Sequence, residues 1–348
     1  MNKSSLLDII EPHPNSTILI YDVHASESGA LAILDDLYMQ IRNYSDKSIK
    51  WVFVVSTPKY ASTANIIIHR YPWVKKNWGY RLYFDNVTTK KILKEYKPDK
   101  VFSLQNKGIG FYKGPQYVYL HLPFILTDHK FHIKKDGMKL WLYQNVLSKS
   151  IFASLRKADK TIVQTHWMKE TLIEKAKVSA DRIVIDAPDI SMNSIGTFED
   201  TLENRRRFFY PATAFTYKNH LTLLKGIKYA VDYGLKDYEL FLTIKADEST
   251  YTQNLSDYVK ENHLNVIFNG PMPREEVFKR YTNSILVFPS YVESFGLPLL
   301  EARMSNTPII AADCPFTREI LNGYEKVTYF PEMAYEILGE ILEASQQL

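Results

Sequence analysis

Short apolar runs alternate with amphipathic helical patterns along the whole chain. In the first half, the runs predict strands at Thr17–Tyr21, Trp51–Val55, Lys100–Leu104, Tyr117–Leu120, Thr161–Gln164 and Ile183–Asp186. In the second half, they predict strands at Phe208–Tyr210, Glu239–Thr243, Val266–Phe268, Ile285–Phe288 and Pro308–Ala311. Apolar positions at helical spacing predict helices at about 29–43, 87–96, 138–157, 167–176, 219–233, 274–282 and 298–305. Because strands and helices alternate, the sequence predicts parallel, doubly wound α/β sheets, and two such sets predict two Rossmann-like domains.

A polar segment without periodicity separates the two sets of strands. It contains Gly196, and we interpret 191–204 as a linker. The sequence therefore predicts an N-terminal domain at 1–190 and a C-terminal domain at 205–333. A last helical stretch, 334–348, is expected to pack back on the N-terminal domain. The total of 348 residues is enough for two domains of ordinary size.

The composition favours a globular protein of a reducing compartment. Hydrophobic residues make up 45% and charged residues 24% of the chain, which is typical of folded domains. Cys314 is the one cysteine, which excludes a disulfide framework. The first residues lack the apolar core of a signal peptide, and no stretch approaches the roughly 18 apolar residues of a membrane span. We therefore expect a cytoplasmic protein.

Positive charge is concentrated in the first half of the chain. Residues 1–190 carry 28 Lys and Arg against 18 Asp and Glu, whereas the rest carries 15 against 21. The lysines of this excess are Lys75, Lys76, Lys90, Lys91, Lys94, Lys97, Lys130, Lys134, Lys135 and Lys139, and the aromatic residues among them are Trp73, Trp78, Tyr80, Tyr83, Tyr112 and Phe131. A basic and aromatic surface suits peripheral contact with an anionic membrane. The alternatives are an ordinary solvated surface and, with no motif to support it, nucleic acid.

The main candidate site lies near the C-terminus, in SILVFPSYVESFGLPLLEARMSNTPIIAADCPFTREIL, residues 284–321. An apolar strand is followed by the turn Phe295-Gly296-Leu297, and Pro298 stands where the first residue of a helix is expected. Free amides at such a helix start face the ligand side of an open α/β sheet and suit an anion. Glu293 lies in the loop before the turn, and Glu301 lies one turn into the helix. An anion cradle with a carboxylate on each side suits a sugar nucleotide.

This segment closely resembles the two-glutamate signature of the retaining family 4 glycosyltransferases. The resemblance implies the GT-B fold, in which two Rossmann-like domains face each other across a cleft. It also implies that Glu301 binds the ribose of the donor and that Glu293 lies beside the donor sugar. The phrases DVHAS, YLHLPF and VQTHWMK resemble bacterial enzymes of capsule and O-antigen assembly, so we expect a role in surface polysaccharide synthesis.

The resemblance assigns further residues to the donor. Gly29, in the loop after the first strand, matches the glycine loop that faces the diphosphate, together with Phe295, Gly296 and Leu297. Lys218 matches the lysine that binds the pyrophosphate and serves in catalysis. Ala212 stands where many members of the family carry an arginine.

The donor sugar and the nucleobase have their own candidate residues. His121 follows a strand and matches the catalytic histidine beside the donor sugar, although a structural histidine is the alternative. Asn269, Gly270 and Met272 match the loop whose backbone reads the nucleobase.

The implied reaction moves a sugar from a nucleotide diphosphate to a hydroxyl of a glycan or lipid-linked acceptor, with retention of configuration. The chain has no Asp-x-Asp pair and no histidine spacing typical of zinc, so we expect no catalytic metal and no cofactor. Two alternatives are kept. One is a nucleotide-sugar 2-epimerase-like enzyme of the same fold, and the other is a catalytically inactive scaffold that binds sugar nucleotides.

Overall fold

A computed structural model describes residues 5–25, 28–188 and 196–346 of the chain. The chain divides into two units. The first contains Met1–Asp128 and Leu142–Ala187, and the second contains His129–Trp141 and Pro188–Leu348. The division therefore falls near the predicted boundary, but a short segment of the first half belongs to the second unit.

The first unit is built on a sheet of seven parallel strands. The strands are β1 (Thr17–Asp22), β2 (Lys50–Val55), β3 (Ile66–Arg70), β4 (Lys100–Ser103), β5 (Gln116–Tyr119), β6 (Lys160–Val163) and β7 (Ile183–Ile185). Their order in the sheet is β3-β2-β1-β4-β5-β6-β7. The central strands are buried on both faces, which is why they read as continuous apolar runs.

Helices alternate with these strands along the chain. They are α1 (Leu6–Ile10), α2 (Ser28–Asn43), α3 (Trp78–Tyr83), α4 (Thr89–Tyr96), α5 (Ile133–Asp136), α6 (Met138–Leu142), α7 (Ser148–Leu155) and α8 (His166–Thr171), of which α5 and most of α6 belong to the second unit. π-helical turns at Phe84–Thr88, Tyr143–Leu147 and Leu172–Ala176 join or extend these helices. Short 3-10 turns lie at Pro72–Lys75, Pro123–Ile125 and Ala180–Arg182. The α2 residues Leu34 and Leu37 are fully buried in one cluster with Trp51 and Phe53 of β2.

The second unit repeats the arrangement with six parallel strands. They are β8 (Arg207–Tyr210), β9 (Glu239–Leu242), β10 (Val266–Phe268), β11 (Ile285–Phe288), β12 (Ile309–Ala312) and β13 (Val327–Phe330). The order is β10-β9-β8-β11-β12-β13. The chain thus winds outward in one direction from β8 and then returns to start in the other direction at β11. The gap between β8 and β11 is the switch point at which ligands of such sheets bind. Both sheets confirm the predicted doubly wound α/β class.

The helices of the second unit are α9 (Leu202–Arg205), α10 (His220–Asp232), α11 (Thr250–Glu261), α12 (Arg274–Tyr281), α13 (Leu297–Met304), α14 (Pro315–Ile320) and α15 (Tyr335–Ala344), with a 3-10 turn at Thr216–Lys218. In the described part of the chain, no helix combines the length and the apolar character that a membrane span requires.

The terminal helix, predicted at 334–348, packs within its own unit. The structure places α15 against α10 of its own unit, where Leu338 and Leu342 are fully buried. Two glycines allow the close approach, since a Cβ at Gly339 would lie 2.8 Å from the carbonyl oxygen of Gly226. The apolar face of α15 is therefore covered within the second unit, and the packing of 334–348 on the N-terminal domain stays a prediction.

The predicted linker is held by backbone hydrogen bonds over its described part. The Phe198 amide donates to Ser305 O at 2.7 Å, and the Glu199 amide donates to Thr282 O at 2.9 Å. Phe198 is buried. The chain from Gly196 onward is therefore fixed to the second unit by backbone hydrogen bonds, and residues 191–195 lie outside the described residues.

Candidate active site

Lys218 and Glu293 meet at the switch point of the second sheet. Lys218 lies in the loop after β8 and Glu293 in the loop after β11, and these two strands are neighbours. Lys218 Nζ donates to Glu293 Oε1, and only 16% and 14% of the two side chains are exposed. Ser290 Oγ donates to the same carboxylate oxygen at 2.8 Å. The structure thus pairs two residues that the sequence assigned to one site, and each neutralises the charge of the other.

The backbone of Lys218 is fixed from both sides. Tyr210 Oη donates to Lys218 O at 2.8 Å. The next residue, Asn219, has φ +61°, a left-handed conformation that asparagine tolerates. Its side-chain nitrogen donates to Pro289 O at 3.2 Å and to Glu332 O at 2.8 Å. Asn219 therefore ties the start of α10 to the loop after β11 and orients Lys218 toward Glu293.

Gly296 makes the turn from the β11 loop into α13. Its φ of +94° suits glycine, and a Cβ here would lie 3.2 Å from Leu299 Cδ1. The helix begins at Leu297, one residue before the predicted start, with Pro298 in its first turn. Phe295 is buried beside it. The assignment of Phe295, Gly296 and Leu297 to a diphosphate stays a prediction.

Glu301 is a buried carboxylate held by two side chains of α12. Tyr281 Oη donates to Oε2 at 3.1 Å, and Arg274 Nη2 donates to Oε1 at 3.1 Å. The residue is 7% exposed, and this burial raises the pKa of Glu301 above its usual range. The Arg274 side chain is 58% exposed, so this ion pair connects the buried Glu301 carboxylate to the protein surface.

Sequence reasoning missed Tyr281 and Arg274. They are the last and first residues of α12, two helical turns apart, and so lie on one face of that helix. This spacing in PREEVFKRY, directly after the predicted nucleobase loop, is the signal that could have identified them.

The predicted nucleobase loop is tied to the sheet by its amides. The Asn269 amide donates to Leu242 O at 2.9 Å and the Gly270 amide to Ile244 O at 3.1 Å. Gly270 has φ +74°, and a Cβ there would lie 3.2 Å from Lys245 Cγ. Met272 is half-buried. These two amides are committed within the fold, so a nucleobase would be read by other backbone groups of the loop.

His121 belongs to the first unit and is held by Asn106. The His121 amide donates to Asn106 Oδ1 at 2.7 Å, and Asn106 Nδ2 lies 3.2 Å from His121 Nε2. Accepting from that amide nitrogen assigns the ring proton to Nδ1, which is buried and has no hydrogen-bond partner among the described residues. Burial lowers the pKa of His121 to about 4. The imidazole is therefore neutral at pH 7, and its buried Nδ1–H has no acceptor among the described residues.

Asp22 is the last residue of β1 and precedes the loop that leads to Gly29. It is 1% exposed, and its Oδ1 accepts from the His24 and Ala25 amides at 2.9 Å each. Burial raises the pKa of Asp22 from 3.8 to about 6. Gly29 is the second residue of α2, and a Cβ there would meet nothing within 4 Å. The protein itself therefore tolerates a larger residue at Gly29, and its predicted approach to a diphosphate stays a prediction.

Comparison with known proteins identifies the family. Residues 197–344 match the description "Glycosyl transferases group 1", and residues 50–185 match "Glycosyltransferase Family 4". The chain is 24% identical over 173 residues to the O-antigen chain mannosyltransferase RfbU of Salmonella typhimurium, covering 49% of this chain and 46% of that protein. It is 29% identical over 172 residues to a D-inositol 3-phosphate glycosyltransferase of Corynebacterium kroppenstedtii, covering 44% and 38%. These matches span less than half the length of either relative.

Solved structures share the fold over nearly the whole chain. The apo form of the lipopolysaccharide outer core galactosyltransferase WaaB superposes with a TM-score of 0.64 and 17% identity, covering 95% of this chain and 90% of that one. HepE of Anabaena in complex with UDP-glucose superposes with a TM-score of 0.65 and 15% identity, covering 94% and 89%. Because the two family matches together cover most of the chain, the protein belongs to the family 4 glycosyltransferases of the GT-B fold.

Proposed function

We propose that the protein transfers a sugar from a nucleotide-diphosphate donor to a hydroxyl of a lipid-linked glycan, with retention of configuration. The observation that carries this proposal is the pairing of Lys218 with Glu293 at the switch point, where Glu293 lies in the loop that ends with the glycine turn into α13. A cation, a glycine turn at a helix start and two acids are the groups that a sugar nucleotide requires.

The leaving diphosphate develops negative charge, and its stabilisation is the main electrostatic task of such a transfer. Lys218 would supply one positive charge, and the backbone at Phe295–Leu297 would supply amide donors. The diphosphate would replace Glu293 as the partner of Lys218. Glu293 would then face the donor sugar, still hydrogen-bonded to Ser290.

Glu301 suits the ribose because it is an acceptor whose position is already fixed. Tyr281 and Arg274 each use one lone pair of the carboxylate, and a carboxylate has about four acceptor sites in total. Two hydroxyl groups of a ribose could donate to the remaining sites. The base would then lie toward Asn269, Gly270 and Met272.

In the first unit, we propose that His121 contacts the donor sugar and that Gly29 contacts the diphosphate, as the family resemblance implies. His121 supports this role by its neutral ring and by an Nδ1–H that has no acceptor among the described residues. We propose that no metal takes part, because Lys218 and the amides of the α13 turn would stabilise the leaving group themselves.

The relatives guide the choice of substrates. RfbU is an O-antigen chain mannosyltransferase, and HepE was solved with UDP-glucose. We therefore propose a nucleoside diphosphate sugar as donor and a role in bacterial surface polysaccharide assembly at the inner face of the membrane.

One set of measurements tests the proposal. Thermal-shift screening against UDP, GDP, dTDP and CMP sugars identifies the donor, and NMR of the product made with a simple alcohol acceptor reports the anomeric configuration. Transfer with retention, unchanged by EDTA, is expected. Inversion, or activity abolished by EDTA, would contradict the mechanism. Epimerisation of the donor without transfer would instead identify an epimerase, and binding without any turnover a scaffold.

A further inference from the structure

We infer that the helix from α3 to α4 is a docking surface for an anionic lipid bilayer. The α3–α4 surface consists of the exposed apolar residues Trp78, Tyr80, Leu82, Tyr83 and Val87 and the exposed lysines Lys90, Lys91 and Lys94. This assignment concerns the first unit alone and does not depend on the proposed reaction.

Trp78 and Leu82 contribute little to the core, whereas Tyr80 and Tyr83 contact the ring of Trp73. The opposite side of the same helix supplies Phe84, Thr89 and Ile92, which are buried in the first unit. Trp78 nevertheless exposes 72% of its surface and Leu82 exposes 68%. A helix that is already anchored by one face and carries large apolar side chains on the other marks an interaction site.

The arrangement of the residues favours a bilayer over a protein partner. The apolar residues lie at 78–87 and the lysines at 90–94 of one continuous helical segment, so the apolar end passes directly into a basic end. Lys76 approaches the ring of Tyr80 at 5.9 Å, which adds a cation at the apolar end. Tryptophan and tyrosine prefer the membrane–water interface, and nearby lysines are attracted to anionic headgroups.

The acidic residues nearby do not cancel this charge. Asp85 is paired with Arg81 at 2.8 Å, so that pair is neutral. Glu95 is exposed, but Lys90, Lys91 and Lys94 surround it on the same helix. The surface therefore stays positive, which gives it charge complementarity to a bilayer that contains acidic lipids.

The structure also narrows the surface that the sequence indicated. Phe131 is buried, and the lysines from Lys130 to Lys139 lie in the segment that belongs to the second unit. Leu82 and Val87, which charge and aromatic content alone did not reveal, are part of the exposed set.

Flotation with vesicles tests the inference on the full chain. Vesicles of phosphatidylcholine with about one-third phosphatidylglycerol should carry the protein upward at low salt, whereas pure phosphatidylcholine should carry little of it. Trp78→Ser combined with Leu82→Ser should lower the partition coefficient about tenfold or more. Changing Lys90, Lys91 and Lys94 to Gln should lower it about fivefold per charge, and high salt should remove that difference.

Matched control variants make the same kinds of substitution outside the α3–α4 surface. Tyr233 is 69% exposed on the second unit, so Tyr233→Ser removes an exposed aromatic residue outside the α3–α4 surface. Changing the exposed Lys177, Lys260 and Lys279 to Gln removes three charges in the same way. Both controls should float as the wild type does. The α3–α4 variants should keep the wild-type thermal midpoint.

A second readout follows Trp78 directly. Anionic vesicles should shift the tryptophan emission of the wild type to shorter wavelength, and Trp78→Phe should still float but lose most of that shift. Wild-type protein that does not float with anionic vesicles at low salt would overturn the inference. Control variants whose vesicle binding falls as much as that of the α3–α4 variants would overturn it too. Two further results would overturn it in favour of another partner: a concentration-dependent dimer abolished by Trp78→Ser, or release from vesicles by competing RNA.

Discussion

The ion pair between Lys218 and Glu293 leads to a prediction that separates the roles of the two residues. With no donor bound, the ammonium that should bind the diphosphate is already occupied by a carboxylate. Replacing Glu293 with Ala removes that carboxylate and leaves Lys218 available. We expect Glu293→Ala to bind a nucleoside diphosphate more tightly than the wild type, while turnover falls.

The size of the gain follows from the burial of the pair. Contacting charges at an effective dielectric constant near 20 attract by about 4 kcal/mol, and desolvation offsets most of that attraction. Both side chains keep about one-seventh of their surface exposed, so a net value of about 1 kcal/mol is reasonable. This corresponds to about a fivefold lower dissociation constant for the diphosphate. Loss of the acid beside the sugar should lower turnover about a hundredfold.

Calorimetry measures the affinity, with the nucleoside diphosphate that gives the largest thermal shift in the wild type. Glu293→Gln is the matched control, because the amide oxygen can still accept from Ser290 Oγ and from Lys218 while the charge is gone. Its affinity should lie between those of the wild type and Glu293→Ala. Lys218→Met should lose most of the binding in either background.

Two results would refute this reasoning. If Glu293→Ala binds the nucleotide more weakly than the wild type, the carboxylate contributes to the nucleotide site instead of competing for its lysine. If Lys218→Met binds with unchanged affinity, Lys218 is not a ligand of the diphosphate, and the proposed electrostatic role of the switch-point pair fails.

Three other predictions concern single residues. Glu301→Ala should weaken nucleotide binding more than about a hundredfold, because two charge-assisted hydrogen bonds are lost, whereas Tyr281→Phe, which only loosens the acid, should weaken it about fivefold; equal affinities by calorimetry would contradict the ribose assignment. Gly296→Ala should lower the stability of the second unit by about 1 to 2 kcal/mol because its φ is +94°, while Gly29→Ala should leave the thermal midpoint unchanged and lower only turnover. Burial raises the pKa of Asp22 from 3.8 to about 6, so its contribution to stability is present below about pH 4 and is lost as the pH rises through 6. Relative to wild type, Asp22→Asn should therefore gain about 2 kcal/mol between about pH 4.5 and 7.5 in unfolding measurements; parallel pH profiles would show that the carboxyl group is not desolvated.

The strands that the sequence predicted are mostly those buried inside the sheets, and the two that it missed are edge strands. β3 (Ile66–Arg70) and β13 (Val327–Phe330) each have a neighbour on one side only. Their side chains are partly exposed, and polar residues shorten the apolar run: His69 and Arg70 end it in β3, and Thr328 interrupts it in β13. A buried parallel strand needs apolar residues on both faces, whereas an edge strand does not. The pattern of burial therefore limits what an apolar run can predict.

Two helices were missed or predicted too short because their residues do not form a clear amphipathic pattern. α11 (Thr250–Glu261) is mostly polar, and its clearest signal is the capping box between Ser249 and Thr252. The predicted helix at about 87–96 in fact extends back to Trp78, where Asn77 caps it. Exposed aromatic residues on that extension obscure the amphipathic pattern, because they are apolar on the side that a core does not use.

The candidate site shows where a motif stops being informative. The spacing of Glu293 and Glu301 identifies both acids. Glu293 lies in a loop and Glu301 in the first turns of the helix that follows it, so local structure alone fixes their separation. Their partners are remote: Lys218 lies 75 residues from Glu293, and Tyr281 lies 20 residues from Glu301. These contacts exist only because β8 lies beside β11 and α12 packs against α13, which is a property of the strand order. Local sequence can therefore assign an acid to a ligand, but the charge state and the orientation of that acid depend on the fold that brings its partners to it.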